Sequence, residues 1–245
     1  TAIGPIPRYT AMSKALNATG RPIFFAMCEW GDADPATWGA AVANSWRTTG
    51  DISDLWWAMV ELADLTQEWF EFAAPGGWND PDLLEVGNGG MTTAEYRSQM
   101  AIWSVIKAPL LISTDVTKMS ADTLAILSNA ELIAINQDVT PQGRPICDHE
   151  VPYCLNRWSR ALSDGSYAVA LYNPDDAPAE LSIDFGALGM PATQRATVRD
   201  LWAKKTLGVF DGRYPASGGV TVAPHEAKML RVTPAGEAEG AEYAF

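Results

Sequence analysis

The sequence predicts a parallel α/β segment followed by an antiparallel β domain, and three observations predict it. Short apolar runs beginning near residues 22, 45, 78 and 109 alternate with amphipathic stretches, so each strand-plus-helix unit takes about 30 residues, the size of a βαβ repeat. Acidic residues (Glu29, Asp51, Asp80, Asp82, Asp115) gather just after those runs, where parallel α/β folds keep their sites. Beyond Gly143 helical periodicity fades and short strand-like runs appear between Gly, Pro, Asn and Asp. Four units make either a small open sheet or half of an eight-stranded barrel, and periodicity alone leaves both open.

Taken in order, Tyr9–Thr19 carries Met12, Ala15 and Leu16 at helical spacing and stops at Gly20. Pro22–Cys28 reads as a buried strand. Asp34 is a cap and Pro35 a first-turn residue for a helix with Trp38 and Val42 on one face. Ser45–Thr49 is the next strand. Ser53 is the expected cap of a longer helix with Leu55, Met59, Leu62 and Trp69 near one stripe, ending before Pro75-Gly76-Gly77. Trp78–Leu84 is a short strand entering an acidic loop. Thr92 and Glu95 form a capping box ahead of Tyr96, Met100 and Trp103. Pro109–Thr114 is strand-like, and Ser120 caps a last helix reaching about Asn136. The later runs are Tyr167–Tyr172, Leu181–Phe185, Ala196–Leu201, Gly219–Val222 and Lys228–Val232. Three stretches follow: 1–143 as the α/β segment, 144–234 as an antiparallel sheet or sandwich, and 235–245 as a disordered tail rich in Ala, Gly and Glu.

A net charge of −13 gives a surface that repels phosphate backbones and anionic lipid, so neither nucleic acid nor a membrane is an expected partner. No apolar run reaches ~18 residues. The N-terminus has neither the charged start nor the apolar core of a signal peptide, nor an initiator Met, so the chain reads as processed or incomplete. Cys147 and Cys154 flank a short Pro-containing loop and can pair across it, whereas Cys28 has no neighbour in sequence. With the glycosylation acceptor Asn17-Ala18-Thr19, they point to the secretory pathway: extracellular, vacuolar or lysosomal. An oligomer is compatible with the sequence.

The chemistry centres on Arg47 and Asp51, at a strand end and the turn after it. An aspartate there can give or take a proton, and an arginine beside it can position hydroxyls. A structural ion pair, with Asp51 capping the next helix, explains the spacing equally well. Asn79, Asp80 and Asp82 supply acceptors beside Trp78, the mixture of carboxylate and aromatic face that carbohydrate sites use. Turn chemistry at Asp80-Pro81 is the plain alternative. Trp56, Trp57, Trp69 and Trp103 fall in helices and read as core. His149 and His225 lie far from the acidic residues, so no zinc site or Ser-His-Asp triad is suggested. No loop has calcium-site spacing. Gly87-Asn88-Gly89-Gly90 lacks the lysine of a nucleotide loop. No cofactor is expected.

At Cys28-Glu29-Trp30, Ser45-Trp46-Arg47 through Asp51-Ile52, Pro75 through Leu84, Lys107-Ala108-Pro109-Leu110-Leu111 and Asn136-Gln137-Asp138, the chain resembles the α-galactosidases of glycoside hydrolase family 27. The match runs from about Arg8 to Gln142, and Arg199-Asp200-Leu201-Trp202 and Ala223-Pro224-His225 look like the plant-type members. The resemblance implies an eight-stranded α/β barrel followed by an antiparallel β domain, and retaining hydrolysis of terminal α-galactosides. It makes Asp51 the general acid/base and Arg47 a residue binding the 2-hydroxyl and the catalytic carboxylate. Cys28, Glu29, Trp30 and Asp82 become pocket residues. Glu29 is similar to the galactosidases, where related N-acetylgalactosaminidases carry a smaller residue, and Leu83 stands where many members have Met.

Retention needs two carboxylates about 5–5.5 Å apart. The family's nucleophile lies in a Lys-x-Asp-Asn-Cys type motif on the fourth strand, which this sequence lacks, together with the paired Asp residues that bind the galactose 4- and 6-hydroxyls. The cysteine of that motif bonds the position of Cys28 in the family. The resemblance therefore implies strands five to eight of the barrel, a partner in the missing N-terminal half, and no activity of 1–245 alone. A non-catalytic carbohydrate-binding or structural remnant is the other reading.

Overall fold

The computed structural model describes residues 4–146 and 155–235. Helix α1 (Pro5–Ala18) starts four residues earlier than the periodicity predicts, because Pro in its first turn loses no hydrogen bond there; none of its residues is buried. Strand β1 (Ala26–Met27) occupies only the end of the Pro22–Cys28 run. It pairs with one neighbour, so Ile23 and Phe24 are left exposed. Helix α2 (Ala36–Gly39) is a single turn, with Pro35 rather than Asp34 at the cap position. Strand β2 (Ser45–Arg47) is wholly buried. Helix α3 (Trp56–Gln67) begins after the expected Ser53 cap: extended Leu55 precedes it, and no side chain caps it.

Strand β3 (Trp78–Asp80) completes a parallel sheet of order β1-β2-β3, with Met27 opposite Trp46 and Arg47 opposite Asp80. Trp46 fills the space behind the sheet, 0% exposed, its indole donating to Asn79 Oδ1 at 2.7 Å. Helix α4 (Thr93–Val105) has the predicted capping box at Thr92 and Glu95. The Pro109–Thr114 run contributes a single parallel bridge, Ile112 with Leu84, in place of a strand. The helix expected from Ser120 to Asn136 is two, α5 (Ala121–Leu127) and α6 (Ala130–Gln137). Asn129 divides them by accepting the N–H groups of Glu131 and Leu132.

Ten strands follow: β4 (Arg144–Pro145), β5 (Arg157–Ala161), β6 (Tyr167–Tyr172), β7 (Ala179–Leu181), β8 (Ile183–Asp184), β9 (Arg195–Asp200), β10 (Lys205–Asp211), β11 (Arg213–Tyr214), β12 (Val220–Val222) and β13 (Ala227–Pro234). Six form an antiparallel sheet of order β10-β9-β13-β6-β5-β4; the pairs β11-β8 and β12-β7 lie apart from it. Period two explains the layering. Ala168, Ala170 and Tyr172 of β6 pack with Met59, Met100, Trp103 and Ile135 of the helices. Val169 and Leu171, on the other face, pack with Phe185, Val198, Leu230 and Val232. One continuous core therefore joins the parallel segment to the β domain. Arg160 adds a polar clasp, donating to the carbonyls of Ile135, Asp138, Thr140 and Pro141. The structure thus shows part of a parallel α/β barrel followed by an antiparallel β sandwich. Cys147, Cys154 and residues 236–245 lie outside the described residues.

Candidate active site

Because β1, β2 and β3 are parallel, their C-terminal ends share one rim. Cys28-Glu29-Trp30 leaves β1 there, Arg47 ends β2, and Asp80 ends β3. The turn after β1 is unusual: Trp30, Ala33 and Asp34 have φ of 52°, 59° and 50°. At Gly31 (φ 84°) an added Cβ would meet the Thr48 carbonyl oxygen at 2.4 Å. This fit seats Trp30 against β2, and its indole N–H donates to Asp51 Oδ1 at 3.0 Å.

Arg47 is the hub. Its guanidinium reaches Asp82 Oδ2 at 2.8 Å and Asp51 Oδ1 at 3.4 Å, and donates to the carbonyls of Thr49 (3.3 Å) and Gly50 (2.5 Å). Cys28 Sγ lies 3.9 Å away. The Arg47 side chain is 8% exposed and that of Asp82 13%, whereas Asp51 is 74% exposed. Asp82 has φ 90°, a strained value held from every side. Its N–H donates to Asp80 Oδ1, its carbonyl accepts from the Trp103 indole, and its carboxylate accepts from the N–H groups of Ile52 and Leu83.

Five of the six predicted site residues, Cys28, Trp30, Arg47, Asp51 and Asp82, form this one connected network. Glu29 faces helix α1: Arg8 lies 3.2 Å from its Oε1, and Tyr9 donates to the Cys28 carbonyl at 2.8 Å. Sequence reasoning missed Arg8, Tyr9 and Trp103. Their spacing is ordinary for helices, and only the fold brings them to the rim. Burial, reinforced by the Glu29 carboxylate, pushes the Tyr9 phenol up to about 12. Burial also raises Asp80, against the Asp82 N–H and Arg47, and raises the Cys28 thiol, against Arg47.

Chemically, the arrangement separates two carboxylates. Asp82 is consumed by a guanidinium and two backbone donors, which suits a fixed acceptor. Asp51 has one oxygen held by Trp30 and Arg47 and the other without a hydrogen bond among the described residues. That exposed oxygen is free to exchange a proton with a group at the rim. Among the described residues no cluster of His, Cys, Asp and Glu has the geometry to hold a metal ion.

Comparisons agree with this layout. A family model described as alpha galactosidase A matches residues 5–138, and one described as alpha galactosidase C-terminal beta sandwich domain matches 154–232. The alpha-galactosidase of Oryza sativa subsp. japonica is 47% identical over 93% of this chain and 53% of its own length. Alpha-galactosidase 3 of Arabidopsis thaliana is 48% identical over 95% of this chain and 53% of its own length. The crystal structure of alpha-galactosidase I from Mortierella vinacea superposes with a TM-score of 0.81 at 30% identity, covering 92% of this chain and 62% of that one. The chain spans about half the length of the curated relatives it matches. With the family model covering its whole parallel segment and a second covering its β sandwich, the chain belongs to the alpha galactosidase A family.

Proposed function

We propose that this chain supplies the acid/base half of a retaining glycoside hydrolase that releases terminal α-linked galactose. The observation carrying this reading is the Arg47 hub, which spends Asp82 as a fixed acceptor while holding Asp51 by one oxygen and leaving its side chain exposed. In the proposed reaction Asp51 protonates the leaving oxygen and later takes a proton from water. Arg47 holds Asp51 and the sugar 2-hydroxyl in register. Cys28, Glu29, Trp30 and Asp82 line the pocket. The second carboxylate comes from a further half of the barrel, docked along β1 and the Pro109–Thr114 run, where Phe24, Leu111 and Ile112 are exposed. The exposed acceptor Asn17 supports passage through the secretory pathway.

The test joins this chain to the N-terminal barrel half of the rice relative and assays p-nitrophenyl α-galactoside. The expected result is turnover in the joined protein, none in 1–245 alone, and loss of at least about 100-fold on Asp51→Asn. Full activity in the folded Asp51→Asn protein would remove Asp51 from the mechanism.

A further inference from the structure

The helical tryptophans read as core from sequence, and Trp103 is buried as expected. Trp57 is 61% exposed. On the same face of α3, at i+3, i+4, i+7 and i+8, stand Val60, Glu61, Asp64 and Leu65. With Trp56 and Pro174 of the β domain they surround a shallow cavity of about 460 Å³. Its two carboxyl groups receive no donor from the described residues. Glu61 makes no hydrogen bond or ion pair among the described residues. Asp64 Oδ1 is buried without a partner, and burial raises its carboxyl to about 7. Tyr172, 0% exposed beneath Trp56, also has an unpartnered hydroxyl, and the Asp64 charge acts on it.

We propose that this face of α3 is a second saccharide site, with one pyranose ring lying on the Trp57 indole and its hydroxyls donating to Glu61 and to the outer oxygen, Oδ2, of Asp64. Apolar C–H faces of a sugar suit an exposed indole, and its O–H groups suit acceptors that have no donor of their own. An organic cation is the less favoured occupant. A cage for ammonium needs several free ring faces, but Trp56 is stacked on His225 at 4.6 Å, tilted against Tyr172, and donates to the Pro174 carbonyl. Only Trp57 offers an open ring. The choice of saccharide rests partly on the function proposed above, whereas the site rests on the geometry of α3.

Indole N–H resonances of the full chain, titrated with raffinose, test this. The expected result is a saturable shift of the Trp57 resonance with Kd on the order of 1 mM. The shift is retained in Asp51→Asn, which alters the other site at the Trp30 and Arg47 contacts. In Trp57→Ala, a surface change that keeps the fold, the neighbouring Trp56 resonance loses its response, and affinity by calorimetry falls about tenfold or more. No saturable shift at Trp57, or a response confined to Trp30, overturns the second site. A response to tetramethylammonium and none to raffinose overturns the ligand class. Loss of the catalytic reading alone leaves the Trp57 shift in place, so the two failures are distinguishable.

Discussion

Replacing Arg47 with Met tests how the rim is held. The Arg47–Asp82 pair is 2.8 Å long and nearly enclosed, and breaking a buried pair by removing one partner costs about 3–5 kcal/mol. Two backbone donors, from Ile52 and Leu83, stay on Asp82 and keep its charge partly compensated, which places the loss near the lower figure. The carbonyls of Thr49 and Gly50 also lose their shared donor, offsetting some of that relief. A net loss of about 3 kcal/mol is expected, read as a drop of roughly 1 M in the urea midpoint at a slope of about 3 kcal/mol/M. Tryptophan fluorescence at neutral pH follows the transition. Arg47→Met combined with Asp82→Asn should recover part of the loss, a coupling of about 1–3 kcal/mol. A loss under about 1 kcal/mol, or no coupling, would refute the hub as the element that orders the site.

The native state binds a proton at Asp64 more tightly than the unfolded chain does, because burial raises the folded pKa to about 7 from 3.8. Its contribution is therefore full below the unfolded pKa and lost as pH rises through about 7. The full linkage is about 4 kcal/mol, reduced to roughly 2 kcal/mol for solvent access. Asp64→Asn should raise the urea midpoint at pH 8 and hardly at pH 4; parallel pH profiles for the two proteins would count against it. Gly31→Ala forces a Cβ onto the Thr48 carbonyl at a positive φ, and a loss of about 2 kcal/mol or more is expected in thermal melts, with a shifted Trp30 indole resonance. An unshifted resonance would show that Gly31 does not seat Trp30. His225, 2.7 Å from Glu95 and 3.0 Å from Asp176, ties α4 to the β domain while stacked on Trp56. His225→Ala should cost about 1–2 kcal/mol by urea unfolding, and a change within about 0.5 kcal/mol would make the contact incidental.

Much of this was legible because local chemistry and tertiary structure agree. The Thr92/Glu95 box opened its helix, the continuous apolar run Tyr167–Tyr172 matched a strand buried on both faces, and the motifs around Trp30, Arg47 and Asp82 carried the family. The strands were shorter than their apolar runs. Pro22–Cys28 and Pro109–Thr114 have a neighbour on one side at most, and a strand without a partner has no ladder to extend. Strand β5 was hidden because Arg157 and Arg160 interrupt its apolar pattern, and β10 because an edge strand exposes Leu207 and Val209. The helix split at Asn129 reflects a cap inside a periodic run. Arg8, Tyr9 and Trp103 were invisible as site neighbours, since only the fold sets them beside Glu29, Cys28 and Asp82. Trp57 misled for the opposite reason: helical spacing cannot say which stripe faces water.

Azide rescue tests most directly the claim that Asp51 is the acid/base. In the joined protein, Asp51→Ala should lose activity most on substrates with poor leaving groups, since a good leaving group needs no proton. With an activated aryl α-galactoside, added azide should restore turnover and yield α-galactosyl azide, the anion attacking the glycosyl-enzyme from the vacated acid/base face. Formation of the β-azide would contradict the assignment by making Asp51 the nucleophile, and an unchanged rate in Asp51→Ala would exclude it from the chemistry.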